Sequence, residues 1–495
     1  MFRCTAAATA LAILLAGAPA FAEPVDITIL HTNDTHDHLE SFDTKNGKEL
    51  GGVARRKTLI DQIRHAVKNV LVLDGGDVFQ GTPLYTFFNG EPDYKAIRLI
   101  GYDGLTVGNH DLDNGLDNLE KQALLLANPP LALNLVRENG AQIFPGYRVI
   151  DRAGLKIALV GIMSQNAFDA VAGERRKGLK LEDPIKALQG VVPALREKCD
   201  LVVILSHSGH EEEVEIAKAV PGIDVIVGGH SHSKVDHPVV VLHGDRPTLV
   251  VQAFQWGEFL GRIDLTVDHQ KITKFEGHLV PVESSLKPDA GVEAMLAPYV
   301  NKIKAQMDEV VGHTAVEFLN QNKQNGDAPI GNLIADAIRE RTGTDVAFMN
   351  SGGIRAPFPK GAITRGMVYS CLPFENRLVK FEVSGELMAQ ILEFVAGKTG
   401  KQGSLQISGL TLTVENGKPK DVMIGGQPFD RARNYTISTI DYIANGNDGA
   451  DVFKQVKELH PTGELVRDAM FAYMAAHALV DTPEGGRIKL LSPVN

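Results

Sequence analysis

The sequence predicts two regions of mixed structure: an α/β first half, a linker helix, and an α+β second half. Three observations predict this. Short runs of Val, Ile and Leu recur through the first half, each bounded by Gly, Asn, Asp or His. Helical patterns lie between several of them, as expected where buried strands alternate with helices. After "LVPVESSLKPDAG" that rhythm stops, and an amphipathic stretch over 292–312 opens a region of different character.

In chain order, the first 22 residues read as a cleavable secretory signal. Arg3 supplies a positive start, "ALAILLAGA" an apolar core, and "AFA" (Ala20 to Ala22) a cleavage signal before Glu23. The core is too short to span a membrane, and no later stretch approaches the roughly 20 apolar residues spanning needs. The expected location is periplasmic or secreted, without a membrane anchor. The mature chain is then 495 − 22 = 473 residues. That length fits two or three domains of about 150 residues.

Losing Arg3 takes the formal charge from −11 to −12, which argues against a nucleic-acid polymer as partner. An acidic protein that handles phosphate must concentrate positive charge locally, and a bound metal does so. Cys4 leaves with the signal, while Cys199 and Cys371 lie far apart in the chain. They are read as two buried thiols in preference to one long-range disulfide.

The strand-like runs are "VDITIL" (25–30), "NVLVLDGGD" (69–77), "GLTVGNHD" (104–111), "KIALVGIM" (156–163), "LVVILSHSG" (201–209) and "DVIVGGHSH" (224–232). Residues 54–67 and 184–198 carry helical patterns between them. In the second half, 328–343 reads as a helix, and "DVAFMNSGG" and "RLVKFEVSG" as strands. The domain boundaries drawn from this are 1–22 signal, 23–290 first domain, 291–312 linker helix and 313–495 second domain.

Five strand ends carry groups that bind metals. Asp34 and His36 stand in "NDTH", Asp74 and Asp77 in "DGGD", and Asn109, His110, Asp111 and Asp113 in "GNHDLD". His207 follows "VVIL", and His230 and His232 form "GGHSH". In α/β folds ligands gather where strands end at loops. Residues i and i+2 of extended chain face the same way, so Asp34 with His36, and His230 with His232, could each converge. Imidazole and carboxylate donors without cysteine suit zinc, manganese, cobalt or iron. With Asp34 and Asp77 as the only anionic ligands, two divalent cations leave a net +2, matching a dianionic phosphate.

The blocks "HTNDTHDHLE", "DGGDVFQGT", "GNHDLD", "LSHSG" and "GGHSH", in this order, resemble those of dinuclear calcineurin-like metallophosphoesterases. More specifically they are similar to the secreted 5′-nucleotidase family, which includes UDP-sugar hydrolases. The resemblance implies a four-layer α/β/β/α sandwich followed by an α+β substrate-binding domain. It implies one metal on Asp34, His36, Asp77 and His232, and a second on Asp77, Asn109, His207 and His230, with Asp77 bridging. His110 would be the catalytic imidazole and Asp113 the carboxylate that orients it. Asp74 reads as a loop cap, His31 and His38 as supporting groups, and "EEE" (211–213) as a solvated helix start.

In the second half, "MNSGGIR" sets Asn350 and Arg355 around Gly352 and Gly353, and Arg355 could clamp a phosphate bidentately. On local sequence Phe374 and Tyr442 read as core aromatics. The resemblance implies instead that they sandwich a nucleobase, that Asp448 binds ribose hydroxyls, and that Asn350, Gly353 and Arg355 line the rest. Two positions depart from the family pattern. Gln324, flanked by Lys323, stands where an arginine is usual, and Glu375 replaces a glycine beside the expected base site.

The expected activity is release of phosphate from 5′-nucleotides, a hydroxide held by the metals attacking phosphorus while His110 stabilises the transition state or the leaving oxygen. Alternatives within the same chemistry are hydrolysis of UDP-sugars or 2′,3′-cyclic nucleotides, or of a non-nucleotide, thiosulfohydrolase-type ester. A binder without turnover would have no need of the His110–Asp113 pair.

Overall fold

The computed structural model describes residues 23–44, 47–483 and 485–491; the expected signal lies outside them. In the first region side-chain alternation builds the layers. Ile27 and Ile29 of strand Val25–Thr32 join Leu71 and Leu73 of Val70–Asp74 on one face. There they meet Ile157, Leu159, Val203 and Leu205 from a second sheet, all fully buried. Each such side chain contributes about 1.5–3 kcal/mol on leaving water. Leu30 and Val72 point the other way, against Leu59 and Ile60 of helix Val53–Ala66 and Ile97 of helix Glu91–Ile100. Behind the second sheet, Val202 and Ile204 pack on Leu188 and Val192 of helix Pro184–Arg196 and Ile216 of helix His210–Ala219. The result is helix, sheet, sheet, helix.

The first sheet runs Lys271–Pro281, Phe259–Asp268, Val25–Thr32, Val70–Asp74, Gly104–Leu105, its last three strands parallel. The second runs Val239–His243, Arg246–Val251, Val225–Val227, Leu201–His207, Leu155–Met163, Tyr147–Arg152. Its middle strands are parallel too, so the loops after them all leave from strand ends, where α/β sheets bind ligands.

Helix Ala290–Met307 starts at Asp289, whose carboxylate accepts the Val292 amide at 2.9 Å. Val292, Leu296, Ile303 and Met307 form its buried face against the first region's helices. The helical pattern expected to reach residue 312 stops at Met307. Val310–Thr314 is instead a strand antiparallel to Gly361–Thr364. Two β-branched valines followed by Gly312 continue a helix poorly.

The second region centres on a sheet ordered Leu405–Ser408, Val346–Asn350, Asn434–Ile440, Arg377–Ser384, His460–Leu465. Helices Pro329–Thr342, Gly385–Lys398 and Val466–Ala476 supply residues to its core. Cys199 and Cys371 are buried and unbridged. Among the described residues no helix is long and apolar enough to cross a membrane.

Candidate metal and substrate site

Three loops from each sheet meet at one end of the sandwich. Asp34 and His36 follow Val25–Thr32, Asp77 follows Val70–Asp74, and Asn109 to Asp113 follow Gly104–Leu105. From the second sheet come Asn166, His207 and the loop with His230 and His232. Convergence does not arise from extended alternation, as the i, i+2 reading had it. Asp34, His36, Asp77, His230 and His232 all have φ between +48° and +78°, a left-handed conformation L side chains seldom adopt. Backbone bonds hold these turns: Asp34 N–H donates to Gly76 O at 2.9 Å and His36 N–H to Asp77 O at 3.1 Å. Gly108 is required by proximity, because a Cβ there would stand 2.2 Å from Asp77 Oδ1.

The buried Asp111 fastens two of these loops. Its carboxylate accepts the amides of Asp77, Val78, Phe79 and Gly108 at 2.7 to 3.2 Å. Asp74 caps its loop by accepting the Thr32 hydroxyl and the Gly76 amide. Trp256 is tied to the same place: its amide donates to Asp34 O at 2.7 Å, and its ring stacks on His38 at 4.6 Å.

The seven residues expected to ligate metal form one continuous cluster. His36 Nε2 lies 3.0 Å from His232 Nε2 and 3.7 Å from Asp77 Oδ2. His207 Nε2 lies 3.2 Å from Asp77 Oδ2 and 3.1 Å from Asn109 Oδ1. His230 Nδ1 is 2.9 Å from the same Asn109 oxygen, and His232 Nε2 is 3.7 Å from Asp34 Oδ1. Asp34, His36 and His232, and Asp34, Asp77 and His207, each bring three ligand atoms within 4.8 Å of one another.

This donor set fits divalent cations. His36 Nδ1 faces Gln80 O at 3.0 Å and His207 Nδ1 faces Gly75 O at 2.9 Å, so each ring is assigned to donate there. His230 donates from Nε2 to Asn166 Oδ1 at 2.9 Å. The opposite nitrogens of His36 and His230 then turn lone pairs toward neighbouring nitrogen or oxygen atoms, an arrangement that a cation makes attractive. Ligand atoms about 2.0–2.2 Å from a metal stand at such spacings. Burial keeps His36 and His232 well below the usual imidazole range and brings His230 to about 3. Burial also lifts Asp34 to about 7, helped by Asp77 and opposed by His207. For His207 burial is outweighed by Asp77, and its pKa rises to about 10. Burial thus keeps the His36, His230 and His232 rings neutral, the form of imidazole that binds a metal.

His110 is held from both ends: its amide donates to Asp77 Oδ1 at 2.8 Å, and its Nδ1 is 2.9 Å from Asp113 Oδ2. Burial would lower its pKa, but Asp113 and Asp77 outweigh that and raise it. The second region faces this ring. Phe374 lies 5.5 Å from it between centroids, and an Arg355 amino group is 3.3 Å from His36 Nε2. Asp448 receives the Asn350 amide at 3.0 Å and the Tyr442 hydroxyl at 3.3 Å. Gly353 is buried beside Asn350. His110, Asn350, Gly353, Arg355, Phe374, Tyr442 and Asp448 line a cleft of about 2630 Å³ between the regions, larger than the 300–1,000 Å³ of a fitted small-molecule site.

The two departures have structural counterparts. Glu375 is exposed and pairs with Arg467 at 3.5 Å, and Arg467 also holds the carbonyls of Leu372, Pro373 and Phe374. Gln324 is exposed, whereas the Lys323 ammonium donates to Ile354 O and lies close enough to Arg355 to feel its charge. The "EEE" run splits, for Glu213 is fully buried while Glu211 is exposed. Sequence reasoning passed over Asn33, Asn166 and Gln252, and gave no role to Asp111; none carries a spacing signal.

Residues 27–234 match the calcineurin-like phosphoesterase model and 310–455 the 5′-nucleotidase C-terminal domain. The chain is 30% identical to Protein UshA of Yersinia enterocolitica, over 98% of each. It is 31% identical to a 5′-nucleotidase of Vibrio vulnificus, over 86% of this chain and 85% of that one. The crystal structure of a Thermus thermophilus 5′-nucleotidase precursor superposes with a TM-score of 0.87 at 30% identity, covering 95% of this chain and all of that one. Two-domain architecture, donor set and near-full-length similarity agree: the chain belongs to the 5′-nucleotidase family, whose calcineurin-like phosphoesterase domain depends on divalent metal ions.

Proposed function

We propose that this protein releases phosphate from 5′-nucleotides with two divalent cations. Asp34, His36, Asp77 and His232 would hold one, and Asp77, Asn109, His207 and His230 the other. When bound, such ions activate water and neutralise the charge that develops on phosphorus oxygens. The chain's own residues do the remainder. Asp113 accepts the Nδ1 proton of His110 and, with Asp77, favours the imidazolium, whose second proton on Nε2 is then available to the leaving oxygen. Arg355 offers planar paired donors to the phosphate. Asp448, oriented by Asn350 and Tyr442, accepts from ribose hydroxyls, and the Phe374 and Tyr442 rings take the base at about 1–3 kcal/mol per stacked base.

The observation that carries this reading is the meeting of Arg355 with His36 across the cleft, which sets an anion-binding side chain against the metal-binding cluster. The signal-like residues 1–22 support export, with cleavage after Ala22; the amino-terminal sequence of the exported protein checks this. For the activity, phosphate release from AMP is measured with added manganese and after EDTA treatment. Metal-dependent release is expected. Activity on UDP-glucose or a 2′,3′-cyclic nucleotide, with none on AMP, would move the substrate and keep the chemistry.

A further inference from the structure

We infer that Glu213 and Gln252 are positioning residues that clamp the loop carrying His230 and His232 against the strand end carrying His207. Glu213 lies in the first turn of helix His210–Ala219, and Gln252 directly follows strand Arg246–Val251. Both are fully buried. Glu213 Oε1 accepts the Gly229 amide at 3.1 Å and Oε2 accepts Gln252 Nε2 at 2.8 Å. The same Gln252 nitrogen donates to Gly229 O at 2.9 Å. Gln252 Oε1 accepts the Ser233 amide at 3.0 Å and the Ser231 hydroxyl at 3.1 Å. Every residue from 229 to 233 that is not a histidine, in other words, is gripped by this pair.

The chemistry of the two side chains is specific. Glu213 meets two donors, so it must present two acceptors. Gln252 meets donors on one side and acceptors on the other, as an amide can and a carboxylate cannot. Gly228 completes the fit, since a Cβ there would stand 1.9 Å from Glu213 Oε2. From the far side Asn33 closes the frame: its oxygen accepts the Ala253 amide, and its nitrogen donates to Phe254 O and to Asp34 Oδ2. The separation between His207 and the His230–His232 loop is therefore set by buried bonds, and with it the geometry of the one proposed metal position that His207 and His230 share.

This inference rests on the ligand reading proposed above, and the test separates the two. Manganese binding to the metal-stripped full-length protein is measured by calorimetry, alongside the melting temperature of each metal-free variant. Glu213→Gln sets an amide N–H against a donor, and the weaker of the two manganese affinities should fall about 10–100-fold. Gln252→Glu sets a carboxylate oxygen against Gly229 O in place of the amide donor and should weaken the same affinity by a similar factor. A merely structural pair would lower the melting temperature without moving manganese affinity in the folded protein. If Glu213→Gln does not fold, Glu213→Asp, which keeps both acceptors on a shorter stem, is measured instead and should weaken binding about 10-fold. Wild-type affinity in Glu213→Gln or Glu213→Asp, or in Gln252→Glu, would overturn the clamp alone. No manganese uptake by the wild-type protein would overturn the ligand reading and the clamp with it.

Discussion

An Arg355 amino group stands 3.3 Å from His36 Nε2, although the two residues are 319 positions apart and belong to different domains. The residue proposed to bind the anion thus rests, from one domain, on the cluster proposed to hold the metals in the other. A phosphate bound between them would accept from the guanidinium and face the cluster at once. Arg355→Ala should raise KM for AMP about 10- to 100-fold, the worth of one charge-assisted bond of about 1.5–3 kcal/mol. Arg355→Lys should recover only part of this, because an ammonium lacks the planar fork. Unchanged KM in both would remove Arg355 from phosphate binding.

The His110 amide donates to the proposed ligand Asp77 and its ring meets the His36 ring edge-on at 5.2 Å between centroids, but the ring supplies no proposed ligand atom, so the side chain can be changed without removing a donor from the cluster. His110→Asn should lower kcat about 10²–10⁴-fold while metal content by elemental analysis stays at the wild-type level. Activity and metal falling together would assign the ring to site assembly.

Asp111 holds four amides and reaches no substrate. Asp111→Asn turns one acceptor oxygen into a donor facing other donors. Denaturant unfolding should show a loss of about 2–4 kcal/mol, with weaker metal retention as the Asp77 loop loosens. Full stability would show that the loops are held by other bonds.

Lys323 gives a pH-dependent expectation. Burial, with Arg355 adding to it, lowers its pKa from 10.5 to about 7. The unfolded chain keeps this proton up to 10.5 and the folded chain only to about 7. Folding therefore releases a proton between those values, and stability rises with pH across that window. Lys323→Met removes the buried charge, so it should raise the melting temperature most near about pH 6 and progressively less toward about pH 9. A gain independent of pH would attribute it to packing.

The Glu375 carboxylate is 70% exposed and paired with Arg467, so its repulsion of substrate should be small. Glu375→Gln should change KM for AMP by less than about twofold. A tenfold fall would mean that the pair leaves the charge unscreened.

Much of this arrangement was legible in the sequence, for identifiable reasons. Parallel strands covered on both faces are continuous apolar runs, and "LVVIL" and "VLVLD" announced themselves. The hairpin of Phe259–Asp268 and Lys271–Pro281 did not, because the first strand alternates buried with half-buried residues and the second carries four exposed residues in a row. The clustered His and Asp residues stood out at strand ends, but not the left-handed turns that bring them together. Asp111 and Glu213 were illegible in principle. An acid that binds buried amides, an acid on a helix's solvated first turn and an acid on a metal look alike in a string of letters. Only the partners distinguish them, and those lie 32 to 34 positions away for three of the four amides on Asp111 and 16 to 39 for Glu213.

The chain contains a single tryptophan, and it is Trp256, bonded through its amide to the Asp34 carbonyl and stacked on His38. All indole emission of the protein therefore originates beside the residues that would receive metal and phosphate. Occupation of that cleft can be watched by light, in the unlabelled protein and at every stage of a titration.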